Sequence, residues 1–257
     1  MTLKEKEERL KKYIKSLNSA AVAFSAGVDS TFLLKTAHEV LKDKVIALTA
    51  KSPLFPKREL EEAENFCKKE GIKHIITEID IDNIKHNPIN RCYICKKNIF
   101  IKFLEIAKLN NIDYVLEGSN VDDEGDYRPG MKAVSELKII SPLRLMGFRK
   151  AEIRELSNNQ KPSFACLASR FVYNEEITPE KLMMVEKAEQ LLFEAGFSQF
   201  RVRIHGKLAR IEIQPEQFEK LIKKDVYSSF KDLGFEYVTM DLKGYRTGSM
   251  NEVLKAE

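Results

Sequence analysis

Residues 20–35 read Ala20-Ala21-Val22-Ala23-Phe24-Ser25-Ala26-Gly27-Val28-Asp29-Ser30-Thr31-Phe32-Leu33-Leu34-Lys35, and this stretch decides the fold. Ala20 to Phe24 carries no charge and is too short for a helix, which predicts a strand buried on both faces. Ser25, Ala26 and Gly27 then form a tight turn, and Asp29, Ser30 and Thr31 lead into the amphipathic Phe32-Leu33-Leu34-Lys35. A buried strand, a glycine turn and a helix start present backbone N–H groups to a phosphate. Gly27 lets the backbone approach an anion closely, and Ser25 and Ser30 carry hydroxyls that can donate. Neither G-x-x-x-x-G-K-[ST] nor G-x-G-x-x-G is present, so two better-known phosphate loops are excluded. The competing explanation is an ordinary strand–turn–helix with a serine-rich cap.

The segment S-A-G-V-D-S, Ser25 to Ser30, resembles the S-G-G-x-D-S pyrophosphate loop of the PP-loop ATPase superfamily, with Ala26 in place of the first glycine. That resemblance implies cleavage of ATP between its α- and β-phosphates and adenylation of a substrate oxygen.

The chain has 257 residues, enough for one large domain or two modest ones. Hydrophobic residues make up 43%, which supports a real core, while charged residues at 32% nearly balance to +4. So small a net charge does not by itself imply nucleic-acid binding, which local basic patches would have to carry. The charged start and the lack of any apolar run near ~20 residues argue against a signal peptide and a membrane span. A cytoplasmic location is therefore expected, with the four cysteines as thiols, metal ligands or catalysts rather than disulfides.

Periodicity predicts helices over residues 3–17, 57–71, 99–110 and 150–158, and strands over 44–50, 72–79, 114–116 and 139–143. Strands alternating with helices predict a parallel sheet with helices on both faces. Cys67 reads as a small buried hydrophobe within one of these helices. Arg91-Cys92-Tyr93-Ile94-Cys95-Lys96-Lys97 is different, because C-x-x-C brings two thiols within reach of one metal and the neighbouring cations favour thiolates. Alone it is equally a redox pair, half a zinc site or part of an iron–sulfur site. No second C-x-x-C is present, and His38, His74, His86 and His205 form no pair at ligand spacing. The run Glu117 to Gly130 follows a strand and so falls at the carboxyl edge of the sheet, where its carboxylates could hold Mg²⁺ beside ATP or simply be solvated. Cys166 is placed in a loop between Pro162 and Arg170. Cys92, Cys95 and Cys166 are expected outside helices; three thiolates can hold a 4Fe–4S cluster with one iron left open, since full ligation takes four. The rival role for Cys166 is a lone nucleophile or sulfur donor.

A domain boundary is expected near residues 172–180, dividing the chain into 1–175 and 176–257. Beyond it, a helix over 181–196, strands over 200–204 and 208–213 about the turn His205-Gly206-Lys207, a helix over 215–224 and a strand over 237–242 predict a small α+β unit. Arg201 and Arg203 share one face by period two and are expected on an exposed strand, where they could, with Arg246 of the glycine-rich tail, clamp a phosphate or carboxylate.

Taken together, S-A-G-V-D-S, R-C-Y-I-C-K, E-G-S-N-V-D-D-E-G-D-Y-R-P-G, A-C-L-A-S-R, R-V-R-I-H-G-K-L-A-R-I-E and G-Y-R-T-G-S-M-N resemble the LarE family from about residue 15 onward. Members of that family are ATP-dependent sulfur transferases that help build the nickel-pincer nucleotide cofactor of lactate racemase. The resemblance implies a PP-loop domain followed by a smaller α+β domain for substrate binding and oligomerisation, assembled as a homo-oligomer, a hexamer in the described case. It implies adenylation of a carboxylate of pyridinium-3,5-biscarboxylic acid mononucleotide by ATP and Mg²⁺, then displacement of AMP by sulfur to leave a thiocarboxylate. One type of member sacrifices the sulfur of a single cysteine; the other holds a 4Fe–4S cluster with three cysteines. With Cys92 and Cys95 beside Cys166, this chain resembles the cluster type. By matched position, Ser25, Gly27, Asp29 and Ser30 would bind the ATP phosphates, with Asp29 the Mg²⁺ partner and Asp122 and Asp126 further metal or substrate candidates. Arg201, Arg203 and Arg246, with Glu212, would hold the substrate phosphate. The alternatives are a PP-loop tRNA thiolase, which would need an RNA-binding surface, and a non-enzymatic nucleotide-binding scaffold with a metal knuckle at Cys92 and Cys95.

Overall fold

The uncharged run forms strand β1, Ala20–Ala23, between helix α1, Leu3–Ser16, and helix α2, Val28–Leu41. The computed structural model describes residues 2–123, 129–161 and 165–254, and β1 is central to its larger sheet. The remaining strands are β2, Val45–Lys51, β3, Lys73–Glu78, and β4, Val115–Leu116, separated by α3, Lys57–Glu70, and α4, Arg91–Leu109. The order is β3-β2-β1-β4 and every pair is parallel.

Period two explains why β1 and β2 carry almost no charge. Ala20, Val22, Val45 and Ala47 enter one core with α1, α2 and Phe148, while Ala21, Ile46 and Leu48 enter a second with Phe100, Phe103 and Ala107 of α4. Burying each large apolar side chain contributes about 1.5–3 kcal/mol, so strands covered on both faces are the stable place for this sequence. Helices α5, Gly130–Glu136, α6, Pro142–Leu145, and α7, Lys150–Ser157, complete the unit.

Two expected elements differ. The strand over 139–143 is reduced to one parallel bridge between Ile140 and Leu116, because Pro142 begins α6 at a position where its missing N–H and fixed φ are suited. Helix α4 starts at Arg91 rather than 99, so Cys92 and Cys95 lie inside a helix. Nothing between Arg91 and Ile99 breaks a helix, and the consecutive Cys92, Tyr93, Ile94 and Cys95 do not continue the spacing of the stripe that Phe100, Phe103 and Ala107 bury.

By contacts the chain divides into two units, Met1–Asn83 with Asn90–Phe164, and Ile84–Ile89 with Ala165–Glu257. Ala165 to residue 175, assigned to the first domain from sequence, thus belongs with the second unit. That unit holds α8, Pro179–Glu194, started by Thr178 and Pro179, then β5, Phe200–His205, and β6, Leu208–Ile213. β5 and β6 form the expected antiparallel hairpin, with Gly206 at φ 61° in the turn. After α9, Phe218–Lys223, comes a helix the periodicity did not indicate, α10, Val226–Asp232, capped by Asp225; β7, Tyr237–Met240, then pairs parallel to β6. Among the described residues no helix is long and apolar enough to cross a membrane.

Candidate functional site

In the first unit, β1 and β4 are neighbours in a parallel sheet, so the loops that leave them meet at one carboxyl edge. Gly27 is the N-cap of α2 and makes no side-chain cap, leaving the first-turn N–H groups of a fourteen-residue helix for another acceptor. The two serines converge there. Ser25 and Ser30 hydroxyls lie 3.3 Å apart, Ser30 Oγ donates to the Gly27 carbonyl at 3.1 Å, and the Ser25 N–H points to Ser30 Oγ at 3.4 Å. Ala26 has φ 53°, the left-handed region in which the family pattern places glycine, and it is held there although alanine disfavours it. Lys161 braces the turn by donating to the Ala26 carbonyl at 3.2 Å while paired with Glu59 and Glu62 of α3. Burial pushes Glu59 above the usual glutamate range despite that lysine.

Asp29 is the charged group at the centre of this edge. Its Oδ2 accepts from Asn120 at 3.3 Å and from Lys150, the first residue of α7, at 3.5 Å; its Oδ1 is buried and has no hydrogen-bond partner among the described residues. Burial raises its pKa from the ordinary value, with Lys150 acting against the shift. An acidic oxygen left open beside an uncapped helix start fits a cation that travels with phosphates. Gly118, in the loop after β4, packs directly on α2: a Cβ there would sit 3.0 Å from the Ser30 backbone nitrogen.

Asp122 has a different occupation. Its carboxylate accepts the Lys150 N–H at 2.8 Å and Arg149 Nη1 at 3.3 Å, so it caps the start of α7. Asp126 lies outside the described residues.

Cys92 is exposed and Cys95 half-buried, three residues apart on one face of the first turns of α4. Lys96 approaches the buried Glu117 at the end of β4 to 3.8 Å, and Glu117 also accepts from the Ser119 and Ser141 hydroxyls. The cysteine helix is thereby tied to the sheet edge that carries the phosphate loop. Among the described residues no group of three or more Cys, His, Asp or Glu is gathered for a metal; Cys92 and Cys95 belong to the first unit and Cys166 to the second. Cys67 is buried, its thiol pushed up to about 12 by burial, and takes no part.

In the second unit Cys166 precedes a 3-10 turn, Leu167–Arg170, outside any α-helix as expected. Arg201 and Arg203 are not exposed, as the alternation suggested, but buried. Arg203 grips both oxygens of the fully buried Glu212 at 3.1 and 3.0 Å and also donates to Ser249 Oγ at 2.8 Å and to the Ser169 carbonyl. Glu212 accepts from Arg210 as well, at 3.1 Å. Arg201 lies over the Tyr245 ring, 5.2 Å from its centroid; burial, together with the nearby Arg170 charge, lowers its pKa to about 10. Arg246 pairs with Asp241 at 3.2 Å and Glu252 at 3.0 Å. The structure therefore brings Arg201, Arg203 and Glu212 together with the turn that carries Cys166, and adds Arg170, Glu189 and Ser249, which the sequence reading passed over.

A profile for NAD synthase matches residues 2–99, the stretch that contains the phosphate loop. A pyridinium-3,5-bisthiocarboxylic acid mononucleotide synthase of Lactiplantibacillus plantarum is 37% identical, across 98% of this chain and 96% of its own. The chain belongs to the LarE family. Uncharacterised proteins of Synechocystis, 40% identical over 98% of this chain and 99% of its own, and of Methanocaldococcus jannaschii, 34% identical over 88% and 90%, are further relatives. This LarE-family chain is an ATP-dependent enzyme built on a PP-loop domain.

Proposed function

We propose that the protein is an ATP-dependent sulfur transferase that converts a carboxylate of pyridinium-3,5-biscarboxylic acid mononucleotide to a thiocarboxylate. The observation that carries this reading is the Ser25–Ser30 turn, with its uncapped helix and the open Asp29 oxygen, in a chain alignable end to end with the named synthase.

A substrate carboxylate oxygen attacks the α-phosphorus of ATP, and the bond to the β-phosphate oxygen breaks to release pyrophosphate. The α2 N–H groups, Ser25 and Ser30 receive the phosphates, and Asp29 would hold Mg²⁺, which when bound neutralises the charge developing on them. A sulfur nucleophile then attacks the acyl carbon, the carbon–oxygen bond to AMP breaks with its electron pair, and the thiocarboxylate remains. Arg201, Arg203 and Arg246 bind the phosphate of the nucleotide, with Glu212 holding Arg203 in place. Cys92, Cys95 and Cys166 are the residues that would hold a 4Fe–4S cluster, which when bound supplies a replaceable sulfide. The exposed Ile222, Tyr227, Tyr237 and Leu242 of the second unit would be covered in a homo-oligomer.

The test is pyrophosphate release by anaerobically purified protein with ATP and Mg²⁺, comparing the pyridinium dicarboxylate mononucleotide with unmodified tRNA. Release that requires the mononucleotide supports the proposal. Release that requires tRNA assigns the chain to the thiolases, and none with either leaves a nucleotide-binding scaffold.

A further inference from the structure

We infer that Arg170, braced by Glu189, is a positioning residue that fixes the backbone on both sides of Cys166 and so aims its thiol. This rests on the proposed role of Cys166 in the sulfur step. Arg170 is fully buried. Its Nε and Nη2 meet the two oxygens of Glu189 at 2.8 and 2.7 Å, and Glu189 Oε1 also accepts the Val202 N–H of β5 at 3.0 Å. The guanidinium is thus anchored to α8 and β5. Burial opposes the charge of each partner, but their pairing together with the neighbouring groups outweighs it, so the Arg170 pKa is raised and that of Glu189 lowered from their ordinary values.

The third nitrogen does the aiming. Arg170 Nη1 lies 2.8 Å from the Ala165 carbonyl, 3.2 Å from the Cys166 carbonyl and 2.7 Å from Ser169 Oγ, and Ser169 Oγ itself donates to the Cys166 carbonyl at 2.8 Å. The Ala165 carbonyl belongs to the peptide plane entering Cys166, and the Cys166 carbonyl to the plane leaving it. Peptide units are planar, so holding both carbonyls restrains φ and ψ of Cys166, which stand at −58° and 153°. Restraining both dihedrals restrains the direction of the Cα–Cβ bond. Arg203 holds the Ser169 carbonyl at the far end of the same turn. Lysine could keep the charge but lacks the fork needed to reach Glu189 and the turn together.

The experiment measures thiocarboxylate formed per pyrophosphate released, using full-length anaerobic protein, the pyridinium dicarboxylate mononucleotide, ATP, Mg²⁺ and sulfide. Loss of folded protein or of substrate affinity scales both products alike and leaves the ratio unchanged. A misplaced Cys166 side chain displaces the sulfur nucleophile from the acyl carbon and lets the adenylate hydrolyse, so the ratio falls. Arg170→Lys and Glu189→Gln are expected to lower it at least about tenfold, since an error of about 1 Å in a reacting group can cost about a hundredfold. An unchanged ratio in both variants overturns the inference. If neither variant gives soluble protein, Ser169→Ala, which removes one Nη1 acceptor without stranding a charge, decides in the same way: a lowered ratio supports positioning and an unchanged one overturns it. Cys166→Ala is the control for the underlying reading; a normal ratio in that variant removes the role of Cys166 itself, independently of Arg170.

Discussion

Asp29 shows how function is written against stability at a single residue. Its folded-state pKa is raised, so the stability cost of its charge is absent well below the ordinary aspartate value of 3.8, sets in as pH rises from there, and is complete above the folded value. Asp29→Asn is therefore expected to raise the Tm of the ligand-free protein at pH 7, with the gain vanishing near pH 3. Substrate-dependent pyrophosphate release should fall by about a hundredfold or more in the same variant, because the cation beside the phosphates loses its ligand. Thermal melts at the two pH values, paired with the release assay, check both signs. Ala26 carries the second prediction at this scale. Its φ of 53° costs least with no side chain or a small one, so Ala26→Val should destabilise by about 1–3 kcal/mol in urea unfolding. Gly118 is the third residue. A methyl group there would press on the Ser30 backbone nitrogen at 3.0 Å, and Gly118→Ala should raise the KM for ATP several-fold by displacing the start of α2, as measured by initial rates over a range of ATP concentrations.

At the scale of elements, β5 and β6 are unusual in burying charge on the face that alternation would leave wet. Phe200, Val202 and Ile204 are covered, and so are Arg201 and Arg203 between them. The arrangement holds because Glu212 on the paired strand meets Arg203 directly and Arg210 beside it. Glu212→Ala strands the buried Arg203 and should destabilise by about 3–5 kcal/mol, read by urea unfolding, far more than removal of an exposed ion pair. Helix α4 makes the other element-scale prediction. Its first turns offer Cys92 and Cys95 on one face, with Lys96 anchored to Glu117. Protein purified without oxygen should carry near four iron per chain, the content of one 4Fe–4S cluster, and lose it in Cys92→Ala and Cys95→Ala, as read by iron content and the visible spectrum. Cys67→Ala should leave the iron unchanged.

For the whole molecule, the sequence discloses what local chemistry encodes. The phosphate loop could be read because small residues, a turn and an amphipathic start stand in one run, and the alternation of apolar strands with helices called for a parallel sheet. The hairpin at Gly206 was legible for the same reason. What was not legible depends on partners distant in the chain. Lys161 reaches Ala26 and Lys150 reaches Asp29, and neither lysine carries any local sign of that contact. Arg170 had one cue, a charge directly after Cys166-Leu167-Ala168-Ser169, but its burial is set by Glu189, itself hidden as one more polar residue on α8. The start of α4 is hidden because Cys92, Tyr93, Ile94 and Cys95 stand consecutively and give no helical period, and the buried arginines of β5 because period two assumes that a charged face meets water.

The proposed chemistry is tested most directly by product mass and product count. The protein, prepared anaerobically, is incubated with the pyridinium dicarboxylate mononucleotide, ATP, Mg²⁺ and excess sulfide. The expected result is replacement of a carboxylate oxygen by sulfur, with more than one thiocarboxylate per chain and an intact Cys166 in the protein afterwards. At most one product per chain, accompanied by loss of the Cys166 sulfur, would contradict the cluster as sulfur source, and unaltered substrate after release of pyrophosphate would contradict sulfur transfer itself.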